Sequence, residues 1–125
     1  MAAAGVAGLA QAHHSFAAEY DSHQPVTLKG VLSKIEWTNP HSWIYVDVKG
    51  EDGKVTTWTV EFGAPNALLR RGLRKSDFPT GVELTVTGYR AKDASTTMNG
   101  TSVKFADGRS LFTGSSEPDG PRAEQ

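Results

Sequence analysis

Two runs of strict alternation constrain what this chain can fold into. From Trp43 to Lys49, Ile44, Val46 and Val48 fall on one side, and Trp43, Tyr45 and Asp47 on the other. From Val55 to Phe62, Trp58, Val60 and Phe62 oppose Thr57, Thr59 and Glu61. A period of two marks a strand with one face buried; a helix would scatter the same residues around its circumference. Between the runs, Gly50-Glu51-Asp52-Gly53 has the composition of a hairpin turn. The pair predicts an antiparallel sheet with an aliphatic inner face.

The pattern extends in both directions. Val26 to Trp37 favours strand, with Val26 and Leu28 in one apolar phase and Val31, Ile35 and Trp37 in the other. Gly30 lies at the change, which predicts a bulge or sharp bend there. Thr38-Asn39-Pro40 is turn chemistry. After Phe62 the period changes. Pro65 suits a first helical turn, Ala67 to Arg71 are good helix formers, and Gly72 can end the helix in a left-handed cap. Leu68, Leu69 and Leu73 are its expected buried contacts. Pro79-Thr80-Gly81 turns the chain again. Val82, Leu84 and Val86 open a fourth strand that reaches Arg90, and Thr101–Phe105 with Ser110–Phe112 make a last hairpin around Asp107-Gly108.

This order predicts an all-β fold with one short helix: a small OB-like antiparallel barrel of five or six strands, in which the helix between strands three and four closes one end. A β-sandwich with an inserted helix is the alternative. In either, Val31, Ile35, Ile44, Val46, Val48, Trp58, Val60, Leu68, Val82, Leu84 and Val86 are expected to be buried.

At 125 residues the chain is long enough for one domain and one core. Thirteen Lys and Arg against fourteen Asp and Glu leave a net charge of -1. That balance lacks the basic excess of a dedicated nucleic-acid binder. With no cysteine, disulfides, thiolate metal sites and thiol nucleophiles are excluded. Any metal must be held by His, carboxylate or Met. No apolar run approaches the roughly 18 residues of a membrane span.

The amino terminus points to export. Ala2 to Ala12 is small and uncharged, and it closes with Ala10-Gln11-Ala12, the Ala-x-Ala pattern that precedes signal-peptide cleavage. The expected division is a leader remnant over 1–12, a β-domain over 13–113 and a disordered Ser/Pro/Gly/Glu-rich tail over 114–125. Cleavage after Ala12 would start the mature, periplasmic or secreted protein at His13.

Three constellations carry candidate chemistry. A terminal His13 can offer both amine and ring to a metal, His14 adds an imidazole, and His41, aimed by Asn39-Pro40, can complete the set with Asp21, or with Glu61 or His23. Nitrogen ligands without thiolate favour copper among divalent ions. The competing reading is a frayed histidine pair and a His41 bonded within its own turn. Second, Phe16, Tyr20, Trp37, Trp43, Tyr45 and Trp58 form an aromatic set. Trp43, Tyr45 and Trp37, with Glu61, can make a platform for a small organic or saccharide ligand or a partner protein. Alternatively, the segment Phe16–Tyr20 folds over them and extends the core. Third, Arg70, Arg71, Arg74 and Lys75 either complement the helix dipole or bind an anion. Glu61 reads as a hydrogen-bond or ion-pair partner, for instance of a helix arginine. No nucleophile–base set or phosphate loop accompanies it, so no reaction is specified.

His13 to Asp21, Trp37-Thr38-Asn39-Pro40-His41, Trp58-Thr59-Val60-Glu61 and Pro65 to Gly72 together resemble a bacterial family of small secreted proteins of unknown function, DUF6152. The resemblance covers roughly His13 to Phe112. It implies export and a single β-domain, and carries no catalytic residue. The family pattern has Gly-Trp after its Arg-Arg pair where this chain has Gly72-Leu73, a change of packing.

Overall fold

The structure is a computed structural model, and it describes residues 18–114. Among the described residues the elements follow in the order β1 (Tyr20–Glu36), β2 (Ser42–Lys49), β3 (Val55–Phe62), α1 (Pro65–Arg70), β4 (Glu83–Ala91), β5 (Thr97–Phe105) and β6 (Ser110–Phe112), with a 3₁₀ turn at Lys75–Asp77 before β4. The all-β fold with one short helix is as expected.

The long β1 serves two neighbours. Its first half pairs antiparallel with β4 and its second half with β2, the two registers meeting at Val31. The sheet order is β3-β2-β1-β4-β5-β6, and an added β3–β5 pairing joins the strands into a ring. That pairing is parallel, through Thr59↔Thr97, Val60↔Met98 and Glu61↔Asn99. A wholly antiparallel arrangement was expected, and the ring forbids it. Directions that alternate around β1, β2, β3, β5 and β4 cannot close on an odd number of strands, so one seam must be parallel. β6 takes the same edge of β5 further along, at Ser102–Lys104.

The phase change in β1 is real but sits three residues later than the sequence indicates. Leu28 and Leu32 are buried, Val26 packs against the core, and Val31 faces out at 40% exposure. The register shift falls between Leu32 and Lys34, and beyond it Ile35 and Trp37 turn inward. Gly30 keeps the inner phase. A Cβ there would strike the Asp47 carbonyl and come within 2.9 Å of a Val46 methyl. The residue is glycine because β2 crosses too close for a side chain, which made an inner position look like a break in the pattern.

Helix α1 starts on Pro65 and ends in a Schellman motif. Gly72, at φ +95, donates to the Leu69 carbonyl, and Leu73 donates to that of Leu68. Leu68 and Leu73 are fully buried. Leu69, also expected to be buried, is 48% exposed; one residue is about 100° of helix rotation, and Ala67 and Leu68 take the inward arc. The core joins Leu28, Leu32, Ile44, Val46, Val60, Phe62, Leu84, Val86, Met98 and Val103 to these leucines and to Phe78 and Phe105. Ile35, Val48, Trp58 and Val82 are half-buried at its rim. Phe78 stacks obliquely on Phe62 at 6.0 Å and on Phe105 at 5.5 Å.

Thr113 ties the end of β3 to β5. Its carbonyl accepts from Gly63 N–H, its own N–H donates to Thr101, and its hydroxyl donates to Gly100 at 3.0 Å. Gly114, assigned to the tail by composition, belongs to the fold: its carbonyl accepts from Arg71 at 2.7 Å.

Candidate functional site

Glu61 lies on the outer face of β3, between Thr-rich neighbours, yet is only 8% exposed. A buried carboxylate must be satisfied by donors, and two residues from other parts of the chain supply them. The Tyr20 hydroxyl donates to Oε1 at 2.7 Å. His41 Nδ1 lies 2.7 Å from Oε2. Each carboxylate oxygen therefore holds a different element: the start of β1 and the loop that leads into β2.

The hairpin register brings His41 to Glu61. Ser42 faces Phe62 and Trp43 faces Glu61 across β2 and β3. His41 thus falls on Trp43's side, diagonal to Glu61, within reach of long side chains. The loop is held by Thr38 Oγ1 donating to the His41 carbonyl at 3.1 Å and by a cis Asn39–Pro40 peptide. His41 does not bond within its own turn through its ring. The imidazole spends Nδ1 on Glu61, while among the described residues Nε2 makes no hydrogen bond and the side chain stays 39% exposed. Donation from Nδ1 leaves the lone pair on Nε2.

Tyr20 is the lid of this arrangement, 4% exposed. Burial pushes its phenol far above the ordinary range, and the hydrogen bond to Glu61 adds to the effect, so it stays a donor. Glu61 has no helix arginine for a partner: Arg71 reaches the Gly114 carbonyl and lies over Phe112, its guanidinium 4.5 Å from the ring centre.

The other candidates separate. Asp21 turns to its own neighbours, accepting from His23 N–H and the Gln24 amide at 2.9 Å each, and these bonds hold its carboxyl below the usual range. Trp37 packs at the core rim, 6.2 Å from Phe78, and leaves the platform. Trp43 and Tyr45 do share the outer face, both half-buried. Trp43 stands in register between Glu36 and Glu61. Tyr45 donates to Glu36 at 3.2 Å, and Lys34 lies over its ring at 5.4 Å. His13, His14 and Phe16 lie outside the described residues. Among the described residues, no group of three or more His, Asp or Glu side chains is placed to hold a metal ion.

The sequence reading set Glu61 beside His41 only as an alternative metal ligand, not as the carboxylate behind its ring. The signal was available: counting outward from the Gly50–Gly53 turn puts them on one face, two residues out of register. Tyr20, 41 positions from Glu61, offered no such count. Beside Tyr20 an open depression of about 510 Å³ is lined by Glu19, Lys92, Asp93 and Thr97 among others. Its mixed charge selects no ligand class.

Among the described residues no helix is long and apolar enough to cross a membrane. No curated protein and no solved structure matches the chain. Residues 2–101 match a family of unknown function, DUF6152, and the chain belongs to that family.

Proposed function

We propose that this protein is an exported metal-binding protein of the copper type, with His41 as the ligand fixed by the fold and His13 and His14 as the ligands brought by the amino-terminal segment. One observation carries the reading: Glu61 sits 2.7 Å behind Nδ1 of His41. A carboxylate on the far nitrogen is the usual support of a metal-ligating imidazole. It fixes ring and tautomer and raises the basicity of the ligating nitrogen. Length also favours it. His14 precedes Tyr20 by six residues, a tether of at most about 20 Å, and Tyr20 is held by the same carboxylate as His41. With imidazole donors and no thiolate, affinity among divalent ions should peak at Cu(II). Export supports the reading further, since cleavage after Ala12 would free an amine on His13.

Calorimetric titration with Cu(II) tests this on the protein cleaved before His13, beside its His41→Ala and Glu61→Gln variants and the full chain. His41→Ala should lose affinity sharply, and Glu61→Gln by about 10- to 100-fold. Extra residues before His13 should weaken binding by removing the amine. Weak binding that is indifferent to His41→Ala sinks the reading.

A second reading is favoured by the position of Trp43, half-buried between two carboxylates with Tyr45 alongside. It is a non-catalytic module that holds a small organic or saccharide ligand, or a partner protein, on this face.

A further inference from the structure

We infer that the end of the ring carrying α1 is a docking surface for an anionic lipid bilayer, formed by Arg70, Arg74 and Lys75 with the exposed side chain of Leu69. The inference is separate from the metal reading and uses none of its residues. Arg70 to Lys75 places four cations in six residues with no acid among them. The helix dipole does not account for them. α1 has only six residues, and backbone donors already take the carbonyls of its last turn: Arg71 and Leu73 N–H on Leu68, Gly72 N–H on Leu69. Arg71 turns back on the fold, to the Gly114 carbonyl and the Phe112 ring. Arg70, Arg74 and Lys75 are exposed, and among the described residues none of the three makes an ion pair. Asp77, the nearest carboxylate along the chain, is spent: it accepts from Arg74 N–H at 2.8 Å and pairs with Arg109 at 3.3 Å. Burial and the charge of Arg70 push the Arg71 guanidinium below its ordinary range, so the cluster repels itself and gains from an outside anion.

The make-up of the patch fits a bilayer better than a soluble anion. A site for one phosphate gathers buried donors around it, whereas these three cations all stand in solvent with a leucine beside them. Leu69 is 48% exposed, one of three large apolar side chains left open among the described residues. Leu111 of β6, half-buried, lies 3.5 Å from where Gly72 would carry a Cβ, and extends the apolar part. An apolar side chain flanked by cations suits the boundary between headgroups and acyl chains: the leucine enters, and the cations stay among the phosphates. The chain's net charge is only -1, so the attraction is local and turns α1 toward the lipid. The hairpin turn before Val55, at the other end of β3, then faces solution. Three cations and one leucine make a reversible contact, because each Lys or Arg near an anionic leaflet changes partition by about fivefold. The residues after Gly114 hold Glu117, Asp119 and Glu124 against Arg122. That acidic end, or an acidic partner protein, is the competing occupant.

The test is co-sedimentation of the full chain with mixed phosphatidylcholine–phosphatidylglycerol vesicles, beside vesicles of phosphatidylcholine alone. The chain should partition to the mixed vesicles at low salt and not to the neutral ones. It should be released at about 1 M salt, where the screening length falls to about 3 Å. Arg70→Gln, Arg74→Gln and Lys75→Gln together should cost about 100-fold in partition. Lys29→Gln, Lys49→Gln and Lys54→Gln together remove the same charge from exposed positions outside the patch, and should cost less than about threefold. Leu69→Ala should cost about fivefold. The substituted side chains are exposed, so each variant should keep the parent's urea midpoint, which separates lost binding from lost fold. Equal losses in the two triple variants would mean that net charge alone is read, and would overturn the inference. So would a Leu69→Ala protein that binds like the parent, or release by inorganic phosphate beyond that by chloride at equal ionic strength; the occupant is then an acidic polymer or a free phosphate. A full chain that stays in solution with the mixed vesicles overturns it as well, whether its own acidic end or an acidic partner takes the patch.

Discussion

The two faces of the β2–β3 hairpin differ in what holds them. On the inner face Ile44, Val46, Val60 and Phe62 are buried among other apolar side chains, and no atom there depends on a particular partner. On the outer face directed bonds join Glu61 to Tyr20 and His41, and Tyr45 to Glu36. The inner face needs volume and the outer face needs specific atoms at specific places. Alternation in the sequence announces the first requirement and hides the second, since Thr59 and Glu61 both read simply as polar.

Truncation on the inner face should have the largest effect. Phe62→Ala removes a ring that packs on Phe78 and covers Gly100. It should lower unfolding free energy by about 3–5 kcal/mol, measured by urea denaturation. A loss under about 1 kcal/mol would mean that the inner face is no better packed than the outer.

On the outer face, Tyr20→Phe should cost about 1.5–3 kcal/mol at neutral pH, the range for a hydrogen bond to a charged group. The same variant sharpens the comparison through pH. The native phenol is held protonated by burial and by Glu61, whereas an unfolded tyrosine ionises near pH 10. Its contribution is complete below that value and is lost as pH rises beyond it, by up to about 1.4 kcal/mol per unit. Urea curves between pH 9 and 11 should fall more steeply for the parent than for Tyr20→Phe. Parallel curves would show that the phenol ionises as freely in the fold as outside it.

Trp43→Ala should have the smallest effect on stability, about 1 kcal/mol or less, the scale of cross-strand pairs on a half-exposed face. It should also abolish any ligand-induced change in tryptophan fluorescence if the binding-module reading holds. Unfolding on the scale of Phe62→Ala would make this face part of the core and end the platform idea.

The strands and helix were legible because their signals are local. β3 matches its expected limits at Val55 and Phe62, and Pro65 and Gly72 bracket α1 as their backbone chemistry requires. What failed had non-local causes. Gly30 is set by the approach of β2, 16 residues later in the chain by its Val46 contact. β1 begins at Tyr20 rather than Val26, through a polar stretch with no alternation. β5 begins at Thr97 rather than Thr101, because Met98-Asn99-Gly100 lacks strand formers and is held by the seam with β3. At the site, histidine and carboxylate each stood out by type. Their joint role follows from register, and Tyr20's from tertiary structure alone.

The parallel seam has one more consequence. It pairs three residues of β3 with β5, and the last of them is Glu61. The residue that gathers Tyr20 and His41 is thus fastened at the seam that closes the ring, a non-local contact of the kind formed late in folding. A molecule whose ring has not yet closed has no defined place for that carboxylate. Such a site comes into existence with the completed fold, and it cannot act on a half-made chain.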